Sequence, residues 1–179
     1  MVHGDPRPEN IFLTPLTFID FQLSMEAPAE HDIMWMTIYG FESEYRRDHE
    51  LELLFHFHNC LRKRGINTKS HSIEAVAFHY ADATGFMLAQ QIIAAKVLSK
   101  KVKKDPLASK LFVDVLLRLD SFIQDWDISE MLKFNLSRVK QGLTKQPITN
   151  SQLRACIPDS IVSKIDSMKS SQPQEEEDL

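Results

Sequence analysis

The sequence predicts a mainly α-helical domain with one small β-hairpin near its N-terminus. From about residue 30 onward, apolar residues recur at the 3.6-residue spacing of amphipathic helices. Before that point, the short apolar runs at residues 11–13 and 16–19 flank Thr14-Pro15, which is typical of a hairpin. The chain has 179 residues, of which 43% are hydrophobic, and this is enough for one domain with a real core.

The elements follow in a simple order. Residues 1–10 are rich in Pro, Asp and Gly and are predicted to form a loop, and the hairpin segment spans residues 11–22. Helices are expected over roughly residues 30–40, 51–64, 72–97, 106–126 and 129–139, with a last one within 151–168 that Pro158 either breaks or begins. We expect residues 1–168 to form one domain and the polar, acidic residues 169–179 to form a disordered tail.

Helix boundaries rest on local signals. Gly40 and Gly65 are expected stops, and three cations, residues 62–64, precede Gly65 where they favour the end of a helix. Ser72 is the expected cap of the long third helix, with Ser70 as the other candidate.

Charge and hydropathy exclude some function classes. A formal net charge of -4 argues against nucleic acid as a partner. No apolar run approaches the roughly 20 residues that a membrane span needs, and no signal peptide opens the chain. We therefore expect a cytoplasmic protein.

The chemistry-bearing residues lie in the first twenty positions. Asp5 is followed after four residues by Asn10, the spacing of the protein-kinase catalytic loop, and His3-Gly4 precede it. A short hairpin then brings Asp20, within Ile-Asp-Phe, back towards this loop. Phosphoryl transfer needs a carboxylate at the acceptor hydroxyl and hard oxygen ligands for Mg²⁺, and these residue types supply both. Ordinary turn residues are the alternative, because Asp and Asn favour turns.

These motifs resemble the aminoglycoside phosphotransferase and choline kinase-like families, in which a His-Gly-Asp loop is followed by Ile-Asp-Phe. The segment from Phe18 to Gln22, then Ala27-Pro28-Ala29 and Asp32, is most similar to the ecdysteroid kinase-like branch. Residues 2–32 resemble these families in their motifs, whereas the helices that follow resemble them only in their general pattern. It implies the C-terminal lobe of a protein kinase-like fold.

The resemblance also implies roles for individual residues. Asp5 would be the catalytic base, Asn10 and Asp20 would bind Mg²⁺ and through it ATP, and His3 and Asp32 would support the loop. The implied activity is an ATP-dependent kinase, or phosphotransferase, that acts on a hydroxyl of a small molecule. The acceptor stays open among steroid, choline-like, aminoglycoside and sugar hydroxyls.

Members of these families carry a nucleotide-gripping N-lobe before the catalytic loop, and this chain has no G-x-G-x-x-G pattern. We expect either a fragment or a natural short product, weakly active or inactive alone, which a missing N-lobe or a full-length relative would complete. The alternative function is a non-catalytic binding or regulatory module.

One residue group after the metal motif has two interpretations. Met34, Trp35 and Met36 either line an acceptor pocket or pack into the core, and core packing is favoured. Arg7 and Glu9, within the loop, either contact the acceptor or phosphate or face solvent.

Overall fold

The computed structural model describes residues 1–67, 71–102 and 105–171, without the side chains of residues 97–102. It is mainly helical with a single small sheet in that part of the chain, and this confirms the predicted class. The sheet is a two-stranded antiparallel hairpin, β1 (Ile11–Leu13) and β2 (Leu16–Phe18), in which Ile11 pairs with Phe18.

Seven α-helices follow the hairpin in the described residues. They are α1 (Glu30–Gly40), α2 (Ser43–Lys63), α3 (Ile73–Val102), α4 (Pro106–Asp125), α5 (Ile128–Lys140), α6 (Asn150–Ala155) and α7 (Asp159–Ser171). Short 3₁₀ turns at Pro8–Asn10 and Phe21–Leu23 flank the hairpin. Helix α3 is central, because α1, α2, α4, α5 and α6 all contact it.

Three helix boundaries differ from the sequence-based expectation. Helix α2 begins at Ser43, eight residues before Leu51, where the apolar pattern becomes visible, and α3 ends at Val102 instead of about residue 97. Pro158 breaks the last expected helix into α6 and α7, one of the two expected alternatives, because proline lacks the N–H that an uninterrupted helix needs. Helix α7 continues to Ser171, so residues 169–171 of the expected tail are helical, and the remaining expected tail, 172–179, lies outside the described residues.

The core lies where α1, α2, α4 and α5 pack around the first half of α3. Apart from Ile165 on α7, the largest fully buried apolar side chains belong to these helices and to the α4–α5 junction: Met34, Ile38, Leu54, Phe78, Met87, Leu119, Phe122, Trp126 and Met131. Burial of each large apolar side chain contributes about 1.5–3 kcal/mol. This bundle forms the rigid support on which the N-terminal loop and hairpin rest.

No helix in the described ranges is long and apolar enough to cross a lipid bilayer.

Candidate functional site

The N-terminal loop is anchored to the first turn of α1 by a single carboxylate. The backbone N–H groups of His3 and Gly4 donate to the two carboxylate oxygens of Asp32, at 2.7 and 2.9 Å. A carboxylate that accepts hydrogen bonds from two successive backbone N–H groups fixes the orientation of that backbone segment. Asp32 thus makes the contacts expected of a residue that supports the loop.

The pKa of Asp32 reflects this position. Its burial acts to raise the pKa, but the neighbouring His31 imidazole and the N–H groups of Gly4 and His3 stabilise the charged form and outweigh burial. The pKa therefore lies below the ordinary value of 3.8. The carboxylate stays ionised at neutral pH, the state in which it accepts both hydrogen bonds.

A glycine is required at the next position. Gly4 has φ +86°, in the left-handed region, and an added Cβ would lie 2.2 Å from the carbonyl oxygen of Leu23. The segment around Leu23 is held there because Val2 and Met25 form an antiparallel bridge. The close approach of the two backbones needs a residue without a side chain.

The carboxylate of Asp5 is buried and held at both oxygens. The indole N–H of Trp35 donates to Oδ1 at 2.8 Å, and the side-chain amide of Asn10 donates to Oδ2 at 3.2 Å. The same amide donates to the Asp5 carbonyl oxygen at 2.9 Å, and the guanidinium Nε of Arg7 lies 3.3 Å from Oδ2. Asp5 and Asn10, paired by spacing in the sequence, are therefore in direct contact.

A backbone hydrogen bond connects the residue before Asp20 to Asn10. The N–H of Ile19 donates to the carbonyl oxygen of Asn10 at 3.0 Å, and the His3 ring nitrogen Nε2 lies 2.8 Å from the Ile19 carbonyl oxygen. Asp20 follows with φ 65° and ψ 59°, its side chain is exposed, and its Oδ2 accepts a hydrogen bond from Gln22. The hairpin thus returns Ile19, the neighbour of Asp20, to Asn10. That Asn10 and Asp20 bind one metal ion stays a prediction.

The donor set at this point matches the preferences of Mg²⁺. Asn10 uses its amide nitrogen on Asp5, while its side-chain oxygen has no hydrogen-bond partner among the described residues. Asp20 adds an exposed carboxylate. No three or more His, Cys, Asp or Glu side chains in the described ranges group to hold a metal. Two hard oxygen ligands are what Mg²⁺ takes from a protein when nucleotide phosphates and water supply the others.

Two adjoining cavities open next to Asp5. One, of about 360 Å³, is lined by Asp5, Trp35 and the side chains of α3 around Gln91. The other, of about 330 Å³, extends to α4 as far as Arg118. Both are lined by Arg7, Tyr39, Gln91 and Ala94, so they form one cleft, here called the Asp5 cleft.

Sequence reasoning missed the contact between Trp35 and Asp5. Trp35 belongs to the core, as favoured, and also lines the cleft and holds the carboxylate. A signal was present, because residues three apart on a helix share a face and Trp35 follows Asp32 by three. Of its neighbours, Met34 is fully buried, whereas Met36 is partly exposed. Arg7 and Glu9 both line the cleft, and Arg7 contacts Asp5 as well.

Comparison with known proteins adds no relative: no family model, no curated protein and no solved structure matches this chain.

Proposed function

We propose that this chain is the catalytic and metal-binding lobe of an ATP-dependent phosphotransferase that acts on a hydroxyl of a small molecule. The observation that carries the proposal is the contact between Asp5 and Asn10 beside the returning hairpin that bears Asp20. Turn residues also form local hydrogen bonds of this kind, so the proposal rests on this contact together with the hairpin that returns beside it. The resemblance of residues 2–32 to kinase-like families supports the same reading.

Each residue then has a chemical role. Asp5 accepts the proton of the acceptor hydroxyl while that oxygen bonds to the γ-phosphorus and the bond from phosphorus to the ADP oxygen breaks. Trp35 and Asn10 hold the carboxylate in one orientation, which lowers the cost of reaching the reactive geometry. Asn10 and Asp20 would hold Mg²⁺, which supplies neutralising charge at the phosphates.

The Asp5 cleft is the proposed acceptor site. Its walls combine the aromatic rings of Trp35 and Tyr39 with the amides of Gln90 and Gln91. Apolar walls with a few fixed polar groups are typical of small-molecule pockets. Because Asp5 itself lines the cleft, a hydroxyl bound there is next to the proposed base.

The hairpin supports a further part of the proposal. Its apolar side chains face outward: Phe12, Leu13, Leu16, Phe18, Ile19, Phe21 and Leu23 are all exposed, Leu13 to 80%. A contiguous apolar surface of this kind marks an interaction site. We expect a second lobe, in the same or another polypeptide, to cover it and to hold the nucleotide.

The same surface favours a second candidate function. A lobe that binds partners through the hairpin but transfers no phosphate would also need these apolar residues exposed. The two candidates differ at Asp5, Asn10 and Asp20, because a binding module makes no use of a metal–phosphate site.

Calorimetric titration of the purified chain with Mg·ATP tests the proposal. We expect saturable, Mg²⁺-dependent binding that Asp20→Asn weakens at least tenfold, about 1.4 kcal/mol. Asp120→Asn, at an exposed position of α4, is the matched control and should bind Mg·ATP as the unaltered chain does. Mg·ATP binding that is equally tight for Asp20→Asn, or that does not depend on Mg²⁺, would favour the non-catalytic module instead.

A further inference from the structure

A smaller cavity lies beside the first turn of α1. It has a volume of about 290 Å³ and is lined by the segment that leads into α1, by His31, and by His79, Asp82 and Phe86 of α3. It is here called the Asp82 cavity. No lysine or arginine in the described ranges lines it, whereas two carboxylates, Glu26 and Asp82, do.

Asp82 has an incomplete set of partners. The amide of Asn135 donates to its Oδ1 at 2.5 Å, and among the described residues it forms no ion pair. Burial raises the pKa of Asp82, although the nearby His79 and the Asn135 amide act in the opposite direction. A half-buried carboxylate is normally compensated by a cation, because desolvation of an unpaired charge is costly. Among the described residues, its one hydrogen-bond partner is the neutral amide of Asn135.

His31 gives an independent indication at the same wall. Its side chain is only 5% exposed, and neither ring nitrogen has a hydrogen-bond partner in the part of the chain that the structure describes. The nearest charged group, Oδ1 of Asp32, lies 3.7 Å from Nδ1, beyond hydrogen-bond distance. Buried polar groups are nearly always hydrogen-bonded, so an imidazole at a cavity wall with only this charge contact to Asp32 indicates a missing hydrogen-bond partner.

The lining chemistry narrows the class of ligand. Four potential ligating side chains surround the space, yet no three of the described His, Cys, Asp and Glu residues are placed to share a metal ion. The ring of Phe86 is partly exposed and makes an edge contact with His31, at 5.4 Å between ring centroids. An aromatic face next to carboxylates attracts organic cations through both charge and the ring quadrupole.

We propose that the Asp82 cavity binds a small organic ammonium ion, with its nitrogen at the Asp82 carboxylate and its apolar part against Phe86 and Met25. The larger cavity of about 770 Å³ between α3, α5 and the segment before α6 is also lined by His79 and Asp82, but Arg138 lines it as well, so the ammonium group is placed in the smaller cavity. The binding is independent of phosphoryl transfer, because Asp5, Asn10 and Asp20 do not line either space.

Amide-resolved NMR titration with benzylamine and with benzyl alcohol tests the proposal. The two probes have the same shape, but only benzylamine is charged at neutral pH. We expect benzylamine to shift the signals of residues 79–86 and of His31 and to bind at least tenfold more tightly than benzyl alcohol. Asp82→Asn should reduce the benzylamine affinity to that of the alcohol, and Asp120→Asn, at an exposed site on α4, should leave it unchanged.

The comparison of benzylamine with benzyl alcohol uses the unaltered chain, so it tests the proposal even if Asp82→Asn does not fold. In that event Glu26→Gln, at an exposed position of the same wall, should lower the benzylamine affinity several-fold. Equal binding of amine and alcohol by the unaltered chain, or no shift at these residues, would overturn the proposal. Unchanged benzylamine affinity in a folded Asp82→Asn variant would overturn it as well.

Discussion

At the scale of single residues, hydrogen bonds to individual side chains fix the conformation of the N-terminal loop. Asp32 accepts hydrogen bonds from two of its backbone N–H groups. Trp35 donates to one carboxylate oxygen of Asp5 and Asn10 donates to the other. Gly4 allows the loop to pass the Leu23 carbonyl. The proposed base is therefore oriented by its neighbours before any ligand arrives.

Gly4→Ala should destabilise the fold more than a similar change elsewhere. The added Cβ meets backbone atoms at 2.2 Å and φ is positive, so the loop must move away from Leu23. We expect the free energy of unfolding, measured with urea, to fall by about 1–3 kcal/mol, the range for strained backbone positions.

Gly142→Ala is the matched control for this change. Gly142 also has positive φ, at 69°, but nothing lies within 4 Å of its added Cβ. Its cost should be confined to the left-handed conformation, about 1 kcal/mol. Equal losses in the two variants would show that the contact with Leu23 does not constrain the loop.

At the scale of elements, a buried polar cluster joins three segments of the bundle. Oε2 of Glu50 on α2 accepts hydrogen bonds from Arg46 at 2.8 Å, from the Tyr80 hydroxyl at 3.1 Å and from the Trp126 indole at 3.2 Å. Arg46 also pairs with Asp125 near the end of α4. The cluster fixes α2 against α3 and the α4–α5 junction.

Glu50→Ala should be strongly destabilising, because it leaves Arg46 buried with one partner fewer. It also removes the acceptor of the Trp126 indole and one of the two partners of the Tyr80 hydroxyl. Loss of one member of a buried ion pair typically costs about 3–5 kcal/mol, and urea unfolding measures it. Glu52→Ala, at an exposed position of the same helix, should change stability by no more than about 0.5 kcal/mol. Similar small losses in both variants would contradict a stabilising role for the cluster.

The same cluster explains why the start of α2 escaped prediction. Residues 43–50 are mostly charged and show no apolar stripe, so hydrophobic periodicity begins only at Leu51. Arg46 and Glu50 are nevertheless buried, since each satisfies the other's charge. Periodicity detects apolar burial and misses helices whose inner face is made of paired charges.

At the scale of the whole molecule, sequence and structure agree most closely where local signals are strong. The hairpin, the start of α4 at Pro106 and the approach of Asp20 to Asn10 follow from spacing and from proline placement. The hydrogen bond from Trp35 to Asp5 and the Asp82 cavity depend on how α1 packs against α3, which no local pattern encodes. The exposure of the apolar hairpin residues likewise depends on how the folded chain packs.

The central claim, a metal–phosphate site at Asn10 and Asp20, is tested most directly by paramagnetic broadening. Mn²⁺ replaces Mg²⁺ at oxygen ligands and broadens the NMR signals of nearby nuclei, so titration with Mn·ATP locates the ion even when binding is weak. The account predicts selective broadening of residues 3–5, 10 and 18–22, abolished by Asp20→Asn. Broadening centred elsewhere, or unchanged in Asp20→Asn, would contradict it.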